Sequence, residues 1–342
     1  MKILWNIHLY PPTHNCGSEY VAHNVNKYLI SKGHHCRVIL QQDKMHDIKT
    51  PYNYEGVEVF PSTGNIDAFR WADVICTHLD FTQFTILIAH EAKKPLIHFV
   101  HNDIEYSSIM AGFGNQSVVY NSEWTKKRIG YPLLSMVLHP PCEYDYYNVN
   151  DNPVDNQYIT LINLDQNKGG RILQKVAAAL PNKKFLGVIG GYSSPAEAGQ
   201  IKDQPSNVTV TGNTHDILSV YSKTRILLMP SAYESWGRTA TEAMCSGIPV
   251  ICTPTPGLME NCGEAGLFVP ARSKAESLRP IENSDYDVRP IIDYINKLDN
   301  KKYYKQVSDK CRARAQELRP EKELDELENF MYARCNNVMQ PA

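Results

Sequence analysis

Arg225 to Cys252 reads RILLMPSAYESWGRTATEAMCSGIPVIC. The opening RILLMP is brief and apolar, as a buried strand is. SAYESWG is a loop. A helix begins near Gly237, and PVIC is apolar and brief again. Strand, helix, strand is the unit from which parallel sheets are built. Glu234 falls in the loop just after the first strand. Glu242 falls within the first two turns of the helix, with seven residues between the two acids. Gly237 gives the backbone room to approach a ligand. The first helix amides, at Gly237, Arg238 and Thr239, point at whatever lies in front of the helix, and a diphosphate fits there. A carboxylate at Glu242 can accept two hydrogen bonds from a vicinal diol such as a ribose. On spacing alone the rival reading stands beside this one: Glu234 caps the helix and Glu242 faces solvent.

The same rhythm runs outward in both directions. MKILWNI, CRVILQ, GVEVF, DVICTH, PLIHFV, SVVYN and MVLHP read as strands towards the N-terminus. GSEYVAHNVNKYLISKGHH carries Val21, Val25, Tyr28 and Leu29 at helical spacing and stops at Gly33. NVNDNPVDNQ, residues 148–157, is polar and aperiodic and reads as a linker. Beyond it YITLIN, KFLGVIG, NVTVTG, RILLMP, PVICT and GLFVP are strands, with helices at GGRILQKVAAAL, THDILSVYSK and GRTATEAMCSG. The C-terminal part is helical. Expected are two doubly wound α/β domains, residues 1–150 and 151–320, and a last helix over 321–342.

Bulk properties fit two domains. The chain has 342 residues, too many for one ordinary core. Its net charge of -2 gives no bulk attraction to nucleic acid or to an anionic membrane. No apolar run approaches the roughly 20 residues that span a bilayer, and the N-terminal run is too short for a signal peptide. Nine cysteines are scattered without C-x-x-C spacing, which points to free thiols in a reducing, cytoplasmic setting rather than zinc or redox motifs. The D-x-D at residues 285–287 lies in polar text and reads as a surface loop. TKKR, residues 125–128, reads as a solvated helix face, with peripheral membrane contact as the alternative.

PSAYESWGRTATEAMCSGIPVICTPTPGLMENCGEAGLFVP resembles the signature of the retaining GT-B glycosyltransferases with the Glu, seven residues, Glu motif (group 1, family 4-like). ITLINLDQNKGG is similar to their phosphate-binding loop. YPPTHNCGSEYVAHNVNKYLISKGH, VVYNSEWTKKRI and VLHPPCEYDYY resemble further segments of that family. The resemblance implies the GT-B fold, two Rossmann-like domains with the last helix crossing back to the first. It implies transfer of a sugar from a nucleotide-diphosphate donor, based on uridine or guanosine, with the anomeric configuration retained. Glu242 would bind the donor ribose and Glu234 the donor sugar. The stretch Ser235, Trp236, Gly237 and Arg238 would hold sugar and diphosphate through its amides, Lys168 would pair with the phosphates, and Gly17 would let the N-terminal loop approach them. His101 matches the family histidine near the sugar's 6-position.

At the position of the family's second cation, five residues before Lys168, stands Asn163. Asparagine hydrogen-bonds but carries no charge. Arg238 is the expected substitute, sharing the leaving diphosphate with Lys168. The scheme needs no cofactor and no metal. Acceptor contacts are expected from residues 10–17, 77–83 and 102–114, and the donor base from residues 211–217. The acceptor is a hydroxyl: a glycan or lipid-linked glycan first, with a protein, a small molecule or a modified DNA base as the other choices. Two further readings keep the scaffold and change the function: a nucleotide-sugar epimerase, and a silent nucleotide-sugar-binding subunit.

Overall fold

The computed structural model describes residues 1–42, 47–112, 114, 116–131, 133–191, 204–272 and 286–338. It divides into two compact units, Met1–Pro141 with Pro320–Ala342, and Cys142–Arg319. The sequence places the first boundary at residue 150, in the polar stretch. The chain joins the second unit earlier because Cys142, Tyr144 and Tyr147 are buried in that unit's core. Hydrophobic contact outweighs the polar stretch as the marker of where one core ends and the other begins.

Among the described residues, the first unit holds an eight-stranded sheet. Its strands are β1 (Lys2–Ile7), β2 (His35–Leu40), β3 (Tyr52–Tyr54), β4 (Val57–Phe60), β5 (Val74–His78), β6 (Leu96–Val100), β7 (Ser117–Tyr120) and β8 (Ser135–Val137). Their order is β3-β4-β2-β1-β5-β6-β7-β8. Every pairing is parallel except β3 with β4, which closes one edge antiparallel. β5 and β6 are buried along their whole length, as strands covered on both faces must be. The helix Glu321–Val338 belongs to this unit. Leu324, Leu327 and Met331 enter the cluster that contains Ile3, Trp5 and Val38. Around this apolar contact, Glu328 meets His34 at 2.7 Å and Glu323 meets His139 at 2.7 Å.

The second unit's sheet is parallel throughout: β9 (Tyr158–Ile162), β10 (Lys184–Val188), β11 (Val208–Thr211), β12 (Thr224–Met229), β13 (Val250–Cys252) and β14 (Leu267–Phe268), six strands among the described residues. The order is β11-β10-β9-β12-β13-β14. Succession runs one way from β9 and the other way from β12. Loops leaving these two strands therefore part company at their carboxyl ends, where open parallel sheets bind ligands. In the first unit the same reversal lies between β1 and β5.

Among the described residues no helix is long and apolar enough to cross a membrane. All nine cysteines are free thiols. Asp285 of the D-x-D lies outside the described residues, and exposed Asp287 pairs with Arg289 at 2.7 Å. In TKKR, Thr125 is buried while Lys127 and Arg128 are exposed on the helix Glu123–Ile129.

Candidate functional site

The second unit concentrates polar chemistry at the β9/β12 reversal. Asn163 follows β9 directly, with φ of 73°. That left-handed conformation suits asparagine better than most residues. The backbone then turns tightly. Lys168 N–H donates to Asp165 Oδ1 at 2.7 Å, and Gly169 and Gly170 N–H both reach Asp165 O. Gly169, with φ of 106°, opens the helix Gly170–Ala179.

From this turn Lys168 Nζ extends to Glu234 Oε1, 2.6 Å away in the loop after β12. Ser231 Oγ donates to the same oxygen at 2.9 Å. A backbone bond runs alongside, Ala232 N–H to Asn167 O at 2.8 Å. Beneath both loops lies Arg272, almost fully buried at 1% exposure. Its guanidinium donates to Gln166 O, Asn167 O and Pro230 O at 2.8 to 3.0 Å. Burial lowers its pKa, yet an arginine stays charged at any pH the fold survives.

Gly237 starts the helix Arg238–Cys245 at φ of 84°, and a Cβ there would come within 2.6 Å of Leu258 Cδ2. Asn261 Nδ2 donates to the carbonyls of Trp236 (3.1 Å) and Gly237 (3.0 Å), fixing the entry to the helix. Gly257 packs so closely that a Cβ on it would lie 2.2 Å from the carbonyl carbon of Ser235. Backbone from 234 to 238 is thus clamped from behind.

Arg238 and Glu242 lie one helical turn apart and pair, Nε to Oε1 at 2.9 Å. Arg238 Nη2 donates to Tyr147 OH at 2.9 Å, and Tyr221 OH donates to Glu242 Oε2 at 2.6 Å. All four side chains are largely buried. Burial and then Glu242 push Tyr221 well above the ordinary tyrosine range. Burial works against the charge of Arg238, but Tyr147 and Glu242 raise its pKa overall. Here Arg238 engages Glu242 and Tyr147. The guanidinium turns to Glu242 because the i,i+4 carboxylate and the Tyr147 phenol satisfy it inside the unit.

In the first unit, Gly17 begins the helix Gly17–Ser31, and a Cβ on it would meet nothing within 4 Å. His101 follows β6 and shares a bond with His78 at the end of β5, Nε2 to Nδ1 at 3.0 Å. Burial lowers the pKa of His78, takes His98 to about 3, and takes His101 to about 4. His8, at the end of β1, lies 2.6 Å from buried Glu19.

The structure therefore brings Lys168 and Glu234 together, and Arg238 and Glu242 together, with Ser235, Trp236 and Gly237 on the loop between. Tyr147, Ser231, Tyr221 and Arg272 were not singled out from the sequence. Ser231 sits directly after a strand in the decisive loop, and that position was a usable signal. Arg272 gave none, because its carbonyl partners are more than forty residues away in sequence.

Residues 157–282 match the family model described as glycosyl transferases group 1. That match lies within the second unit and covers less than half of the chain, so the second unit carries a glycosyl transferases group 1 domain. Its fold is GT-B. HepE of Anabaena, crystallised with UDP-glucose, is 16% identical, with a TM-score of 0.74 over 96% of this chain and 99% of that one. Sucrose-phosphate synthase of Thermosynechococcus elongatus is 15% identical, with a TM-score of 0.78 over 99% and 100%. O-antigen chain mannosyltransferase B of Escherichia coli is 40% identical over 52 residues, which is 15% of this chain and 14% of that relative.

Proposed function

We propose that this protein is a glycosyltransferase that moves a sugar from a nucleoside diphosphate donor to an acceptor hydroxyl, with retention of anomeric configuration and without a metal ion in the transfer step. The observation that carries this reading is the Lys168–Glu234 pair at the β9/β12 reversal, beside the helix that Gly237 opens. A cation and helix amides at that place supply what a departing diphosphate needs.

Lys168 exchanges its partner. Without donor it neutralises Glu234; with donor it pairs with phosphate oxygens, and Glu234 is released to accept hydrogen bonds from the sugar. Glu242 holds the ribose. Its two oxygens already accept from or pair with Tyr221 and Arg238, but an ionised carboxylate offers about four acceptor positions. Arg238 on this reading holds and aims the Glu242 carboxylate, and Lys168 takes the diphosphate charge. The leaving phosphate takes the acceptor's proton, so the protein's part is positioning and charge stabilisation. The acceptor class we favour is a glycan or lipid-linked glycan. UDP-glucose bound to HepE and the mannosyltransferase name of the bacterial relative favour hexose donors.

The test is a panel of UDP- and GDP-hexoses incubated with the full chain, free nucleotide being followed by mass spectrometry. Product configuration is read by NMR. Turnover of one donor class, lost in Lys168→Ala and Glu234→Gln, is the expected result. Nucleotide release with an isomerised free sugar and no acceptor product would move the chain to the epimerases. Binding without turnover for every donor would make it a silent subunit.

A further inference from the structure

The loop after β1 gathers side chains that the proposed transfer does not use. His14, Cys16 and Glu19 each offer one ligand atom, and those atoms all lie within 4.8 Å of one another. His14 Nε2 is 3.8 Å from Glu19 Oε1. That is too long for a hydrogen bond. It is near the roughly 3.3 Å that separates two ligands sharing one tetrahedral ion at about 2 Å.

The donor set mixes imidazole nitrogen, thiol sulfur and carboxylate oxygen. Magnesium and calcium take oxygen; a mixed set of this kind suits zinc. Three protein ligands would leave the fourth tetrahedral position to water. His14 and Glu19 are buried at 4% and 0% exposure, whereas Cys16 is half-buried and gives an ion its way in. Glu19 is already oriented from outside the triad. His8 Nε2 lies 2.6 Å from its Oε1, and Ser18 Oγ donates to its Oε2 at 2.7 Å. Metal-bound carboxylates are held by outer partners of this kind.

We propose that His14, Cys16 and Glu19 bind one zinc ion, which pins the loop after β1 to the first turn of the helix Gly17–Ser31. The loop itself is well seated on its other side. Tyr10 OH bonds to His23 Nδ1 at 3.0 Å, and Tyr52 OH donates to Pro11 O at 3.0 Å. An ion at the far end would complete the anchoring, and would fix Gly17 where the resemblance places it against the donor. Its role is structural and separate from the transfer chemistry.

The test uses the full chain, reduced and stripped with a chelator, titrated with zinc chloride by calorimetry and with cobalt(II) by absorption. Expected is one equivalent of zinc per chain, a cobalt–thiolate band, and a rise in melting temperature with zinc. Cys16→Ser should abolish the band, and His14→Ala should weaken zinc binding by more than about tenfold. Cys335→Ser alters the other half-buried thiol and should change neither. If His14→Ala does not fold, Cys16→Ser decides, since its side chain is partly exposed and nearly isosteric. Absence of zinc uptake would overturn the proposal. So would a thiolate band that survives in Cys16→Ser.

Discussion

Lys168 Nζ lies 2.6 Å from Glu234 Oε1, so one charged contact ties the loop after β9 to the loop after β12. Lys168 remains partly exposed, at 31% for the side chain. Glu234 is only 11% exposed but keeps its bond from Ser231, so losing the lysine should cost about 1–3 kcal/mol. Lys168→Ala should therefore lower the melting temperature modestly while lowering turnover by ~100-fold or more, the loss seen when charge stabilisation of a developing anion is removed. Steady-state kinetics beside a thermal melt checks both halves of this expectation.

The Arg238–Glu242 pair should behave in the opposite way. Side-chain exposure is 11% and 8%, so removing one partner strands a charge in the core. Arg238→Ala should cost about 3–5 kcal/mol, and Arg238→Met combined with Glu242→Leu distinctly less. The midpoint of urea unfolding measures this. A loss in the double variant as large as the sum of the two single-site losses would show that the pair is not coupled.

Arg272→Met removes the donors that hold Gln166 O, Asn167 O and Pro230 O. Pro230 O loses a buried donor, at roughly 1–3 kcal/mol, while Asn167 O keeps Ala232 N–H and Gln166 O keeps Gly169 N–H. Unfolding should shift accordingly. In the protein that remains folded, the donor KM should rise more than kcat falls, since the loops are loosened while Lys168 is retained.

Buried histidines give the first unit a pH dependence. His98 and His101 have pKa values lowered from 6.5 to about 3 and about 4, because burial disfavours the imidazolium. An unfolded chain binds these protons first as pH falls. Stability from these groups is complete above pH 6.5, and is lost as the pH falls towards 4 for His101 and 3 for His98. Each group contributes a slope of up to about 1.4 kcal/mol per pH unit. His98→Gln should flatten that slope without reversing it, as read from unfolding curves between pH 7 and 4.

Much of the fold was legible because parallel strands covered on both faces appear as brief, mostly apolar runs. β1, β5, β6 and β12 are such runs. β3 was missed: YNY is polar, three residues long and at an edge, where nothing forces an apolar pattern. At the site, the order of strand, Glu234, Gly237 and Glu242 is local and could be read directly. The inward turn of Arg238 could not, because Tyr147 and Tyr221 reach it and its partner from elsewhere in the chain. Periodicity says which face a residue takes and nothing about its distant neighbours. The histidines at the ends of β1, β5 and β6 show the same limit, since only sheet order makes His8, His78 and His101 neighbours.

Diffraction from crystals soaked with UDP and with GDP tests the central claim most directly. The account predicts a diphosphate oxygen about 3 Å from Lys168 Nζ, Glu234 parted from that lysine, and the ribose on Glu242. Nucleotide bound elsewhere with the Lys168–Glu234 contact intact, or no nucleotide at saturating concentration, would contradict it.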